Sequence, residues 1–299
     1  LIKSFAEVIK SARERGPKTI AVAVAQDADV LNAVSRAHRE GIANSILVGD
    51  KEEILSIAAQ QGIDIEGFEI MDQPDKATAC QRAVELVSTG RADIVMKGLV
   101  DTSIILKAVL ADESLRGQNV LSHVGVAEVN GYDRLLVFSD AAMIIAPDLG
   151  QKAQILENAV KAARALDIDN PKVAIVCAVE KVNPKMPATL DAQELVKMNQ
   201  EGRIKDCMVG GPFALDNAVS VEAAKHKGIE HPVAGRADVL IVPDIEAGNI
   251  LYKSFVYFAR AKNAGVIVGA KVPIVLTSRA DNEEAKLNSI ALAVLMANK

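Results

Sequence analysis

The chain reads as an α/β protein made of two α/β domains with a cleft between them. Three observations predict this. Unbroken apolar runs such as Ile20-Ala-Val-Ala-Val24 and Ser45-Ile-Leu-Val48 suit parallel strands covered on both faces. Turn residues close most of these runs and lead into segments of helical period. The composition is 50% hydrophobic but only 3% aromatic, which fits helices packed closely on a parallel sheet.

In order, Leu1 to Lys10 has amphipathic helical spacing, and Ile20–Val24 is a strand that enters a helix through Asp27 to Asp29. Ser45–Val48 is the next strand, followed by a helix over Lys51 to Gln61. A weak strand near Phe68–Ile70 precedes a helix from Ala77 to Ser88. Ala92 to Lys97 is a strand that stops at Gly98, and Thr102–Leu110 is helical. The rhythm then changes. Val120–Val129 and Leu135–Phe138 flank Asn130-Gly131, a strong two-residue hairpin signal. Alternation resumes with a helix from Leu149 to Leu166, a strand from Lys172 to Val179, and helices over Thr189–Glu201 and Asp216–Lys227. Ala237–Pro243 is a strand and Glu246–Ala261 a helix. Val272-Pro-Ile-Val-Leu276, a turn, and the helical Glu283–Met296 end the chain.

The stretch Asp140 to Asp148 is expected to carry the chain into the second domain, and the last helix to return to the first. The expected domains are therefore residues 1–142 with 278–299, and 143–277.

With 299 residues and a formal net charge of −5, the chain can bury a large core, and nucleic acid or an anionic membrane is disfavoured as a partner. Cys80, Cys177 and Cys207 are widely spaced with no CxxC, which fits a reducing cytoplasm. No run approaches the roughly 18 apolar residues of a membrane span, and no signal-peptide core opens the chain. His38, His123, His226 and His231 are scattered, so no metal site is expected. Neither G-x-G-x-x-G nor G-x-x-x-x-G-K-S/T occurs.

The chemistry is concentrated at strand ends, where open α/β sheets bind ligands. Lys97-Gly98, Glu180 to Lys185, Pro243 to Asn249 and Thr277-Ser278-Arg279-Ala280-Asp281 are four such turns. A helix N-terminus favours an anion, and Arg279 adds a planar fork of donors beside Ser278. Asp281 with Glu284 is equally a capping-box-like pattern that needs no ligand, and both roles can coexist. Gly248, early in a helix, leaves room for an anion to approach the amides. The histidines read as structural side chains, with His123, beside Ser122, the one candidate for function.

Together, Leu121-Ser-His-Val-Gly-Val126, Ser139-Asp-Ala-Ala-Met143, Ile145-Ala-Pro-Asp148, Glu180-Lys-Val-Asn-Pro-Lys-Met-Pro-Ala-Thr189, Gly211-Pro-Phe-Ala-Leu-Asp-Asn-Ala218, Val242 to Asn249 and Thr277 to Asp281 resemble the phosphate acetyltransferase and butyryltransferase family over nearly the whole chain. The resemblance implies an architecture like that of isocitrate and isopropylmalate dehydrogenases. It implies exchange of a short-chain acyl group, butyryl being the expected one, between coenzyme A and phosphate. The expected partners are acyl-CoA, acyl phosphate and phosphate, with a functional link to an acyl (butyrate) kinase, in a cytoplasmic homo-oligomer. Coenzyme A is a substrate, and no permanently bound cofactor is implied.

Residue by residue, Ser278 and Arg279 match the family's acyl-phosphate pair, and Asp281 or Glu284 is the expected base. Asp244, Gly248 and Asn249 match its Pro-Asp-x-x-x-Gly-Asn signature. Asn183 and Lys185 are candidates for orienting substrate; Lys97, Lys181 and Lys253 are candidates for the anionic parts of coenzyme A. Ser122 and His123 complete the expected substrate site. Ile144 departs from the family pattern, which has asparagine there. The alternatives are a metal- and NAD-dependent dehydrogenase of the same fold, acetyl rather than butyryl specificity, and a binding protein with a degenerate cleft.

Overall fold

The computed structural model describes residues 1–276 and 281–297. In chain order, α1 (Phe5–Glu14), β1 (Lys18–Ala23), α2 (Ala28–Arg39), β2 (Ala43–Gly49), α3 (Lys51–Gln61), β3 (Glu69–Asp72), α4 (Lys76–Ser88), β4 (Ile94–Lys97) and α5 (Thr102–Ala111) come first. Next are β5 (Ser122–Glu128), β6 (Leu136–Ser139), α6 (Leu149–Ala165), β7 (Lys172–Val176), α7 (Pro187–Gln200), β8 (Met208–Phe213), α8 (Leu215–Val219) and α9 (Val221–His226). The chain closes with β9 (Val239–Ile241), α10 (Ile245–Tyr257), β10 (Lys262–Val268), β11 (Ile274–Val275) and α11 (Glu283–Ala297). Two compact units result. One contains Phe5–Gln118 and Asn263–Lys299, the other Leu1–Ser4 and Asn119–Lys262.

In the first unit the strands run in the order β3-β2-β1-β4-β11-β10. β1 pairs in parallel with β2 (Ala21 opposite Ile46) and β4 (Val22 opposite Met96), so each connection must cross over through a helix. The chain uses one device three times to start these helices. Asp27, Asp50 and Asp75 each follow a strand and accept the amide three residues on, from Val30, Glu53 and Thr78, at 2.9, 3.0 and 2.8 Å. Each cap satisfies an amide that has no partner within its helix and is worth about 1 kcal/mol. α11 contacts α1 and α2 and is buried at every residue from Ala285 to Leu295. Two of its polar members tie it to itself and to β10: Ser289 Oγ donates to Ala285 O and accepts from Gly265 N, and Asn288 Nδ2 donates to Asn263 O.

The second unit orders its strands β5-β6-β9-β7-β8. β5 and β6 form the expected antiparallel hairpin, with Gly125 opposite Phe138 and Gly131 at φ 86° in the turn. β6 then pairs in parallel with β9, which is why the hairpin joins this unit. The units change over at 118/119 and 262/263, where the sequence reading put boundaries at 142/143 and 277/278. α6 opens with a complete capping box between Asp148 and Gln151.

Several expectations need correction. Met208–Phe213 and Lys262–Val268 are strands that the sequence reading left out. Glycines interrupt both runs, at Gly210, Gly211 and Gly265, and weaken the strand pattern. The helix expected over Asp216–Lys227 is broken at Ser220, whose extended backbone (φ −121°, ψ 117°) ends α8 and whose hydroxyl caps α9. Asn282 caps α11, its side chain accepting from Ala285 N at 2.9 Å.

All three cysteines are buried. Desolvation pushes the Cys80 and Cys177 thiols up to about 11 and Cys207 to about 12, against about 8.5 for a free thiol. The folded protein at pH 8 is therefore expected to react with a thiol-specific disulfide reagent at least about tenfold more slowly than the guanidinium-unfolded chain, as absorbance of the released chromophore will report. A second prediction concerns the hairpin. A Cβ on Gly125 would lie 2.3 Å from Phe138 Cζ. Gly125→Ala should destabilise the protein by about 1–3 kcal/mol in urea unfolding, and by much less in a Phe138→Leu background.

Candidate functional site

In the second unit the Asp244, Gly248 and Asn249 motif packs where β6 runs out. The chain leaves Ser139 and folds over the carboxylate of Asp140, which is 2% exposed. Its Oδ1 accepts from Ala142 N at 2.8 Å and Met143 N at 2.9 Å, and its Oδ2 from Ile144 N at 3.2 Å. A buried carboxylate is tolerated when amides replace its lost water in this way. At Ile144 it is the backbone amide that is engaged, a group that asparagine would supply equally.

The 140–145 turn lies on the first turns of α10, and that packing accounts for the Pro-Asp-x-x-x-Gly-Asn signature. Asp244 is the N-cap, accepting from Ala247 N at 2.9 Å. Gly248 is required because a Cβ there would lie 2.2 Å from Asp140 O and 2.9 Å from Ala141 Cα. Asn249 Nδ2 donates to Ala141 O at 3.4 Å, and Ile245 N to Ile145 O at 3.1 Å. The room expected above Gly248 for an anion is thus filled by the chain's own backbone.

His123, on β5, is 7% exposed. Its carbonyl accepts from Ser139 Oγ at 2.8 Å, and its ring centroid lies 6.3 Å from that of Tyr252 on α10. Tyr252 stacks on Phe138 at 6.1 Å and carries the Lys253 ammonium 4.8 Å above its ring centre, a cation–π contact. Ser122 differs from its expected role. It is fully buried, and its hydroxyl accepts from Asn158 Nδ2 at 2.8 Å, so it belongs to the packing of α6 on β5.

The Glu180–Thr189 loop is closed on itself by Thr189, which is buried. Asn183 N donates to Thr189 Oγ1 at 2.9 Å, and that hydroxyl faces Asn183 O at 3.1 Å and Met186 O at 2.8 Å. Asn183 Oδ1 accepts from Lys185 N at 2.9 Å. Lys181 and Lys185 stand exposed on this fixed loop.

In the first unit, Lys97 is not a solvated lysine. It is 7% exposed, and its ammonium donates to Gly98 O at 3.2 Å and Val100 O at 3.1 Å, tying down the turn after β4. A Cβ on Gly98 would lie 2.1 Å from Val24 O, and Val24 itself takes φ 58°, a strained conformation for a branched residue. Asp281 is half-buried, and its carbonyl accepts a short hydrogen bond from Lys286 Nζ. Lys286 is 3% exposed and pairs with Asp29 at 3.6 Å. Glu284 is exposed in the first turn of α11. Ser278 and Arg279 lie outside the described residues.

Asp140, Thr189 and Lys286 were missed by the sequence reading as positioning groups. The first two stand inside motifs quoted above, so the signal was present. Lys286 sits within a helical pattern and gave none. Among the described residues, no group of three or more histidine, cysteine or acidic side chains is placed to hold a metal ion, and no helix is long and apolar enough to cross a membrane.

Comparison with known proteins agrees with these motifs. The family model described as phosphate acetyl/butaryl transferase matches residues 4–82 and 76–294. The phosphate butyryltransferase of Clostridium acetobutylicum is 53% identical over 99% of this chain and 99% of its own length. The phosphate acetyltransferase of Thermotoga maritima is 48% identical over 97% of this chain and 99% of its own. Among solved structures, a branched-chain phosphotransacylase from Enterococcus faecalis V583 superposes with a TM-score of 0.83 at 36% identity, covering 94% of this chain and 99% of that one. With a family model spanning nearly its whole length and relatives this close, the chain belongs to the phosphate acetyl/butaryl transferase family.

Proposed function

We propose that this chain catalyses the reversible transfer of a short-chain acyl group, butyryl in preference to acetyl, between coenzyme A and inorganic phosphate. One observation carries the reading: 53% identity across 99% of this chain and 99% of the length of a phosphate butyryltransferase. An isocitrate and isopropylmalate dehydrogenase-like architecture is part of the proposal.

In the acyl-phosphate direction, the coenzyme A thiol gives its proton to a carboxylate. The sulfur then bonds to the acyl carbon, and the carbon–oxygen bond to phosphate breaks. Only a few per cent of a free thiol is ionised at neutral pH, so a base is useful. Asp281 is our choice over Glu284. Its backbone is anchored by the buried Lys286 ammonium, and a general base works only when held in place. Arg279 and Ser278 hold the phosphate and stabilise the tetrahedral oxyanion. Lys181, Asn183, Lys185 and Lys253 meet the anionic parts of the substrates, with Asn183 fixed by the Thr189 turn. Asp244, Gly248 and Asn249 build the platform that carries Lys253, and Lys97 shapes the turn after β4.

No permanently bound cofactor enters this scheme, since acyl exchange moves no electrons. We further propose a cytoplasmic homo-oligomer linked functionally to an acyl (butyrate) kinase, with neither nucleic acid nor a membrane as a partner.

The test supplies butyryl-CoA and phosphate without metal or NAD and follows thiol release. Release under these conditions supports the transferase over a dehydrogenase, and no release with any short acyl-CoA sinks it. Arg279→Ala should keep the far-UV circular dichroism of the parent and lose about 100- to 1000-fold in kcat. Near-normal turnover by that folded variant refutes the role given to Arg279. Butyryl exceeds acetyl by two methylenes, about 1.6 kcal/mol when fully buried. The ratio of kcat/KM for butyryl-CoA over acetyl-CoA is therefore expected near tenfold, and a ratio below one assigns acetyl specificity.

A further inference from the structure

The loop over residues 180–189 holds Lys181 and Lys185 out to solvent and runs directly into α7. That helix starts at Pro187, and no described side chain caps its first amides. Its second turn is tied down instead: Asp191 accepts from the Lys152 ammonium, in the first turn of α6, at 2.6 Å. Lys152 is 6% exposed, so this is a largely buried ion pair across two helices. Two further ties converge on the same place. Cys177, just after β7, donates its thiol to Ala188 O at 3.3 Å, and both charges of the pair act on that thiol. Thr189 accepts from Asn183 N at 2.9 Å and faces Met186 O at 2.8 Å. At the other end of the loop Glu180 pairs with Lys227 at 3.5 Å, and Lys227 also meets Asp216 at 3.4 Å. Those outer pairs are open to solvent, where screening leaves an ion pair little hold.

A buried ion pair is a poor source of stability. Both ions lose water, and apolar residues of similar size often hold two helices together at least as well. What apolar contact lacks is direction, because packed methyl groups can slide. A short charge-assisted hydrogen bond fixes the distance and angle between two particular atoms. Here one atom is on α6, whose start is set by the Asp148–Gln151 capping box, and the other is on the second turn of α7. The pair therefore sets the rotation of α7 about its own axis. The direction in which the loop presents Lys181, Asn183 and Lys185 follows from that rotation.

We infer that Lys152 and Asp191 are positioning residues for substrate binding: their ion pair fixes the 180–189 loop so that Lys181 and Lys185 meet the anionic parts of coenzyme A. This rests on the acyl transfer proposed above and adds a pair of residues that acts on binding through α7.

The test compares the parent with Lys152→Met, which strips a carboxylate of its partner, and with Lys152→Met combined with Asp191→Leu, which removes both charges and keeps the packing. The single variant is expected to melt earlier than the parent, and the double variant close to it. In the double variant KM for butyryl-CoA should rise about tenfold, the equivalent of one charge-assisted hydrogen bond, with kcat within about twofold of the parent. KM does not depend on how much of the enzyme is folded, so this readout survives a loss of stability. Hydrogen exchange of a peptide spanning residues 180–189 should be about tenfold faster or more, since the amides of Asn183, Lys185 and Met186 are bonded within the loop. Parental KM with parental exchange overturns the inference and makes the pair a packing feature. Either change without the other also overturns it, as does a fall in kcat at unchanged KM, which loss of folded enzyme alone produces. A parent that releases no thiol from butyryl-CoA sinks the enzymatic reading by itself. Calorimetric titration with coenzyme A alone then replaces KM: the same tenfold weakening in the double variant is expected, and no binding or no weakening overturns the role given to the pair.

Discussion

The second unit depends on a carboxylate taken out of water. Asp140, at the end of β6, satisfies its oxygens with three successive amides, and this forces the chain into a tight turn whose carbonyl edge lies against α10. The approach is closer than any side chain allows, so the facing residue must be glycine, and Gly248 is there. From that contact follow the entry angle of α10, the place of Tyr252 beside His123 and over Phe138, and the lysine above the tyrosine ring. Losing any one of the three amide bonds would leave part of a buried charge unsolvated, a cost larger than that of an ordinary hydrogen bond.

The first unit solves a similar problem with cations. Lys97 and Lys286 are both nearly inaccessible, and both donate to backbone carbonyls at the mouth of a strand or helix: Gly98 and Val100 for one, Asp281 for the other. A buried ammonium bonded to the chain fixes backbone far more firmly than a solvated one, since the alternative is an unpaired charge. Such groups position a site without touching a ligand. Motif reading tends to assign them directly to ligand binding, as happened with Lys97.

Much of the fold was legible because local chemistry and tertiary demand agreed. The strands β1, β2 and β4 each contain a short apolar run, and the aspartates that follow two of them serve as caps. β8 and β10 were not legible, because their glycines erase the strand pattern and they are strands only by virtue of their neighbours. The site divides in the same way. Asp244, Gly248 and Asn249 were found as a motif, but the reason for the motif lies some hundred residues earlier, at Asp140 and Ala141, a pairing that linear order does not reveal. Ser122 looked functional beside His123, yet alternation along β5 puts its hydroxyl inward, onto Asn158.

The threading of the first unit bears on how the protein is made. β1, β2, β3 and β4 are complete before residue 100, but α11, which lies against α1 and α2 and is buried through Leu295, is made only after residue 282. Until then the apolar surfaces of α1 and α2 that α11 will cover stay uncovered, while residues Asn119–Lys262 of the second unit are synthesised in between. The nascent chain therefore carries an unfinished, apolar half until α11 is made.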